Sequence, residues 1–286
     1  MRAQFEATDI EGVWRAEANL AGPTVAIFGG VHGDELTGIE VVKQTVEKGL
    51  DIEAGSVFLA LGNLAAIAVN RRHTGTNLNR VFRDLTQEEA ELFDKLPYEM
   101  RRAQELNRVL DNSDALLDLH DFSDPKGPVF MITEELGFPV ACMIGAPVIS
   151  SGWSVTEFGG SDSRMASQQK VGICYELGDK TQPIANLTRG MGARDRFLEQ
   201  QDHHHASRCR DKPYPLPCPP FIRMPLRLTF RRPERLTFSL IGPDPSCGAQ
   251  PWHKGCLPGS SPWLVLSLSW QACWAGWVAQ SKVAPT

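Results

Sequence analysis

Short apolar runs alternate with amphipathic stretches along the first 200 residues. Thr24–Phe28 (TVAIF) is almost wholly apolar and breaks at Gly29-Gly30, the pattern of a buried strand entering a tight loop. Leu36, Ile39, Val42 and Val46 recur at helical spacing, and Gly49 closes that helix. Ser56–Leu61 (SVFLAL) predicts a second strand, ended by Gly62-Asn63. A helix starting at Pro97 and running to about Asp111 carries Met100, Ala103, Leu106 and Leu110 on one side. Ala115–Leu119 predicts a third strand, followed at once by His120, and Val129–Ile132 and Val171–Leu177 predict two more. Strands that alternate with helices favour an α/β sheet covered on both faces. No internal repeat is visible.

The pattern stops near Gln200, and composition changes with it. Residues 1–200 hold 30 acidic and 19 basic side chains, a balance of −11, with 7 Pro, 2 Cys and 2 Trp. Residues 201–286 hold 4 acidic and 10 basic side chains, a balance of +6, with 13 Pro, 5 Cys and 5 Trp. No helical or strand period survives in PYPLPCPPF or PSCGAQPWHKGCLPG. Two regions are therefore expected: a folded domain over 1–200 and an irregular, poorly packed tail over 201–286, of the kind a reading-frame shift produces. The whole chain carries −5, which argues against a nucleic-acid partner. The uncharged stretch from Gly255 to Ser281 is diluted by Pro258, Pro262, Gln271 and Gly276, so a membrane span is not expected. The N-terminus lacks the apolar run of a secretory signal, which makes the cytoplasm the default location. Cys142 and Cys174 fit buried thiols of a reduced protein. The tail cysteines have no zinc-like pairing, and nothing in the sequence sets an oligomeric state.

Candidate chemistry gathers where strands end. Residues 29–35 read Gly-Gly-Val-His-Gly-Asp-Glu. His32 and Glu35, in a glycine-flanked loop, can converge on one ion. His120 follows its own strand in Asp118-Leu119-His120-Asp121, and ligands of open α/β sheets collect outside the carboxyl ends of strands. Two histidines and a carboxylate that leave one position open form a catalytic zinc pattern. By itself the spacing equally fits a loop histidine among surface acids. Glu176, in Ile173-Cys174-Tyr175-Glu176-Leu177, is an acid in an apolar strand, costly unless it faces a site. It fits the base that a hydrolytic zinc site needs, and it fits an edge-strand side chain in solvent. Asn70-Arg71-Arg72-His73 and Asn77-Leu78-Asn79-Arg80 suit a carboxylate-bearing substrate, since Arg grips carboxylates bidentately; a solvated basic loop has the same composition. His73 fits a pocket or surface histidine better than a fourth ligand.

Four runs in this order, GGVHGDELTG, GNLAAIAVNRRHTGTNLNRVF, LLDLHDF and CYELG, resemble the succinylglutamate desuccinylase/aspartoacylase family over roughly residues 20–200. The resemblance implies a zinc-carboxypeptidase-like fold, a mixed sheet with helices on both faces. It implies one zinc held by His32, Glu35 and His120, with Glu176 as general base and then acid. It implies that Arg72 polarises the scissile carbonyl and that Asn79 and Arg80 hold a substrate carboxylate. Arg164 resembles a further substrate arginine. Two positions depart from the family pattern: Asn63-Leu64 stands where Asn-Pro is common, and Asp121-Phe122-Ser123 where a Ser/Thr/Asn-rich run is common. The small β-rich second domain of the family has no counterpart pattern after Gln200.

The resulting expectation is zinc-dependent hydrolysis of the amide bond of a small N-acyl amino acid. The acyl group and the amino acid are left open. Two alternatives stand beside it: a zinc-binding but catalytically impaired form without the second domain, and a carboxypeptidase of the same fold.

Overall fold

The computed structural model describes residues 2–203 and 221–223. In chain order, the strands are β1 (Glu6–Ala7), β2 (Val13–Glu17), β3 (Thr24–Gly29), β4 (Ser56–Leu61), β5 (Ala115–Phe122), β6 (Phe130–Thr133), β7 (Val148–Ser151), β8 (Val171–Asp179) and β9 (Phe221–Arg223). They form a single sheet in the order β1-β2-β4-β3-β5-β8-β6-β7-β9. Its centre, β4-β3-β5-β8, is parallel. β2 joins β4 and β6 joins β8 antiparallel, so the sheet is mixed, as expected.

Eight α-helices lie among the described residues: α1 (Leu36–Lys48), α2 (Leu64–Ala68), α3 (Gln87–Glu91), α4 (Tyr98–Asp111), α5 (Phe138–Ile144), α6 (Trp153–Thr156), α7 (Ser161–Ser167) and α8 (Pro183–His203). Parallel strands are buried on both faces, which is why β3 and the first part of β5, Ala115–Leu117, are apolar runs. Alternate residues of β3 feed two separate cores. Val25 and Ile27 pack with α1, α5 and α8, while Ala26 and Phe28 pack with α4, Phe82 and Met165 of α7. The same parity runs through β5: Leu117 and Leu119 join the first core, Leu116 the second. Asp118 and His120 therefore point to the α4/α7 side.

Helix α1 buries Ile39 and Val42 and packs Val46 against the core as expected, and Leu36 departs from that face. Leu36 is 59% exposed, and the buried positions are Thr37, Gly38, Ile39, Val41, Val42 and Thr45. The helix is pressed on the sheet so closely that a Cβ at Gly38 would meet the Leu119 carbonyl oxygen at 2.6 Å. α8 runs along the other side of α1, with Gly190 against Val41. Helix α8 crosses Gln200 and continues to His203, and Phe221–Arg223 adds an edge strand beside β7. The other expectations for the tail, its five cysteines and Gly255–Ser281, fall outside the described residues. Among the described residues, no helix is long and apolar enough to cross a membrane.

Candidate metal centre and substrate arginines

The site sits at the carboxyl ends of β3, β5 and β8. β3 runs out at Gly29, and Gly30 turns the chain with φ +71°. Gly33 lies so close to α2 that a Cβ there would meet the Ala66 carbonyl carbon at 2.2 Å. That close approach holds the loop carrying His32, and Glu35 stands at the N-cap position of α1. His120 is near the end of β5. It is paired in register with Glu176 of the parallel strand β8, so the two side chains share a face.

These placements bring three ligand atoms together in a buried pocket. His32 Nδ1 lies 2.8 Å from Glu35 Oε1, and His120 Nδ1 lies 2.8 Å from Glu35 Oε2. The three residues are 3%, 2% and 1% exposed for His32, Glu35 and His120 respectively, and their ligand atoms lie within 4.8 Å of one another. The outer ring nitrogens face oxygens: His32 Nε2 is 3.0 Å from Asn77 Oδ1, and His120 Nε2 is 3.1 Å from Asp118 Oδ2. A proton on each Nε2 would leave the Nδ1 lone pairs turned inward, the arrangement that outer partners impose on metal-binding imidazoles. His32 Nδ1 is buried without a hydrogen bond despite its closeness to a carboxylate oxygen. The donor set thus fits a borderline cation such as zinc.

Electrostatics set the two histidines apart. Burial pushes the His32 imidazole down to about 4, helped by the Arg72 charge, so it is neutral and able to ligate at pH 7. Burial also works against charge on Glu35 and His120 but is outweighed in both. The two imidazoles hold the Glu35 carboxyl well below its usual range, and Asp118 with Glu35 holds His120 well above. A cation entering at His120 Nδ1 would displace a proton. The Glu35 carboxylate is further fixed by the Asp121 N–H at 3.2 Å and by Arg72 Nη1 at 2.8 Å. The Asp121 carboxylate accepts from Thr37 N at 2.9 Å and Asn186 Nδ2 at 3.1 Å, which ties α1 and α8 to the same point.

Glu176 lies beside this group. Burial raises its carboxyl to about 7, with the Glu35 charge adding to the shift and His120 and Arg72 opposing it. Its Oε2 is buried without a hydrogen bond. A carboxyl that titrates near neutrality can take up and return a proton at working pH.

Arg72 is at the edge of the cluster, 32% exposed, with its guanidinium on Glu35. Arg80 lies close enough to Arg72, Asp162 and Glu176 to feel their charges. Its guanidinium pairs with Glu157 and donates to the Asn79 carbonyl. Asn79 is buried, and its side-chain oxygen accepts from Ser161 N at 3.0 Å. His73 is exposed. Arg164 does not join the others. It pairs with Asp84 at 3.1 Å and with Asp111 at 2.8 Å. Asp111 ends α4 just before β5 begins, so Arg164 points to the opposite end of the sheet from His120. It lies one turn further along α7 than Ser161, which touches Asp118. Sequence reading also missed Asn77 and Asp118 as partners of the imidazoles. The signal available was their place inside the two runs that carry the site residues, Asn77-Leu78-Asn79-Arg80 and Asp118-Leu119-His120.

Residues 21–193 match the model of the succinylglutamate desuccinylase/aspartoacylase catalytic domain. Aspartoacylase from Rattus norvegicus is 34% identical over 118 residues, 38% of each chain. An N-acyl-aromatic-L-amino acid amidohydrolase (carboxylate-forming) from Homo sapiens is 28% identical over 174 residues, 56% of this chain and 54% of that one. The matched part thus spans roughly two-fifths to one half of these relatives. Among solved structures, a succinylglutamate desuccinylase/aspartoacylase from Rhodobacter sphaeroides shares the fold with a TM-score of 0.56 at 20% identity, over 66% of this chain and 58% of that chain. The ectoine utilization protein of Ruegeria pomeroyi does so with a TM-score of 0.58 at 18% identity, over 78% and 76%. The chain belongs to the succinylglutamate desuccinylase/aspartoacylase family, and residues 21–193 are its match to the catalytic domain.

Proposed function

We propose that this protein is a zinc-dependent amidohydrolase that releases the acyl group from a small N-acyl amino acid. The observation that carries the reading is the convergence of His32 Nδ1 and His120 Nδ1 on the two oxygens of Glu35, with Glu176 in register beside His120. His32, Glu35 and His120 would hold the zinc, which supplies Lewis acidity to oxygen at that point. Glu176 takes the proton of the attacking water, and the hydroxyl goes to the acyl carbon. The C–N bond then breaks, and Glu176 returns the proton to the leaving amine. The products are a carboxylic acid and an amino acid. Arg72, on the rim of the cluster, would polarise the scissile carbonyl as charge develops on it. Asn79 and Arg80 would hold a carboxylate of the substrate. The relatives' names suggest two substrate types, acylated aspartate and acylated aromatic amino acids, and these residues do not choose between them.

Release of free amine from a panel of N-acyl amino acids tests the reading. Zinc-loaded wild type should turn over at least one member. Glu176→Gln should lose about 10²–10⁴-fold in turnover, the usual contribution of a proton-transfer group. No turnover across the panel, or wild-type rates in the variant, would refute it.

A further inference from the structure

Arg80, assigned above to a substrate carboxylate, already has a carboxylate on it. The partner is Glu157, and neither group is fully buried: Arg80 is 27% and Glu157 21% exposed. Glu157 belongs to the segment between β7 and α7, which is held at its two ends and loosely packed between them. At the first end, the Glu134 carboxylate accepts from Gly152 N, Ser154 N and Ser154 Oγ. At the second, Phe82 N donates to the Gly159 carbonyl at 3.0 Å, and a Cβ at Gly159 would meet the Arg80 carbonyl oxygen at 2.3 Å. Gly152 and Gly159 have φ of +87° and +86°, backbone that only glycine adopts without strain. Between them, Val155 and Phe158 are 59% and 70% exposed, so these two apolar side chains do not anchor the segment to the core.

We infer that Glu157 is a built-in competitor for the substrate carboxylate: it occupies the Arg80 guanidinium, and a carboxylate-bearing substrate displaces it. The inference rests on the reading of Arg80 as a carboxylate-binding residue. Two anions cannot share one guanidinium fork without repulsion. Arg80 Nη1 is on the Asn79 carbonyl and Nη2 on Glu157, so a carboxylate that takes the guanidinium bidentately does so at the expense of Glu157, while a neutral ligand that leaves Arg80 alone does not. The pair acts as a specificity element, because only a ligand whose carboxylate outcompetes Glu157 gains from Arg80. Its partial exposure keeps that competition modest.

The test is calorimetric binding to zinc-loaded protein in the Glu176→Gln background, where hydrolysis does not interfere. The probes are N-acetyl-L-aspartate, N-acetyl-L-phenylalanine and the carboxylate-free N-acetyl-L-phenylalaninamide. Adding Glu157→Gln should tighten at least one of the two carboxylates by roughly three- to tenfold and leave the amide unchanged. Adding Arg80→Ala should abolish any effect of Glu157→Gln on carboxylate binding. Weaker carboxylate binding in Glu157→Gln would overturn the inference and make Glu157 a support that orients Arg80. Equal binding, or equal tightening of the amide, would overturn it as well. If wild type hydrolyses nothing in the panel above yet Glu157→Gln still tightens carboxylates through Arg80, the proposed activity fails and the competition stands. If wild type is active and Glu157→Gln leaves both KM and binding unchanged, the reverse holds.

Discussion

The candidate metal site and the arginines at its rim are neighbours built in different ways. His32, Glu35 and His120 are almost fully buried, and each is fixed by a strand end, a helix start or a partner on its outer ring nitrogen. Arg72 and Arg80 come from loop and short 3₁₀ backbone, are about 30% exposed, and pair with carboxylates of the protein itself. The first arrangement is rigid before any ligand arrives. In the second, a substrate carboxylate would replace Glu157 on Arg80, while Arg72 stays on Glu35. On the proposed reading, strand register sets where the reaction would happen, and the Arg80–Glu157 pair sets which substrate gains from Arg80.

This contrast predicts that damage to the two regions reads out differently. Arg72→Ala should mainly lower kcat, by about 10²–10³-fold if it stabilises developing charge on the carbonyl oxygen. Arg80→Ala should mainly raise KM for carboxylate substrates, since it removes grip that is equal in ground and transition states. Steady-state kinetics on one N-acyl amino acid separates them. The same pure KM effect in both variants would break the division of labour.

A smaller effect sharpens the rim side of the comparison. The loop that carries Arg72 is pinned by Glu99 of α4, a carboxylate that accepts from Thr74 N and Oγ1, Gly75 N, Thr76 N and Asn63 Nδ2. Burial would raise its pKa, but these hydrogen bonds win and bring it to about 2. A folded-state pKa below the unfolded value of about 4.3 means that the stabilisation is present above about pH 4. It is lost as pH falls through about 2. Chemical denaturation should therefore show Glu99→Gln less stable than wild type at neutral pH, with the gap narrowing between about pH 4 and pH 2. A gap independent of pH would show that the Glu99 charge is not what pins the loop.

How far the sequence disclosed these regions follows from the same physics. The central strands were readable because parallel strands buried on both faces become apolar runs, as in Thr24–Gly29 and Ala115–Leu117. His32, Glu35, His120 and Glu176 stood out as polar groups at or inside such runs. β2 was not read: in Val13-Trp14-Arg15-Ala16-Glu17 the buried pair, Val13 and Ala16, breaks strict alternation. α8 was hidden by Gly190 and Gly192, which lower helix propensity, although Gly190 lets the helix approach α1. Leu36 looked like core and faces solvent, because α1 is packed on two sides and buries Thr37 and Val41 instead. Asn77 and Glu157 act through contacts between segments at least 45 residues apart, and no local spacing announces them. Asp118 was within reach, since it stands two residues before His120 and so shares its strand face. Arg164 shows the converse error. It resembles a substrate arginine in sequence, yet its guanidinium is taken by Asp84 and Asp111.

The central claim is that three residues make one metal site and that Glu176 stands outside it. Zinc content of purified wild type, His120→Ala and Glu176→Gln, measured together by elemental analysis, tests it most directly. The histidine run at 203–205 is a source of loose metal, so each protein is first dialysed against a weak chelator. The account predicts about one zinc per chain in wild type and in Glu176→Gln, and almost none in His120→Ala. Zinc retained in His120→Ala, or lost from Glu176→Gln, would contradict it.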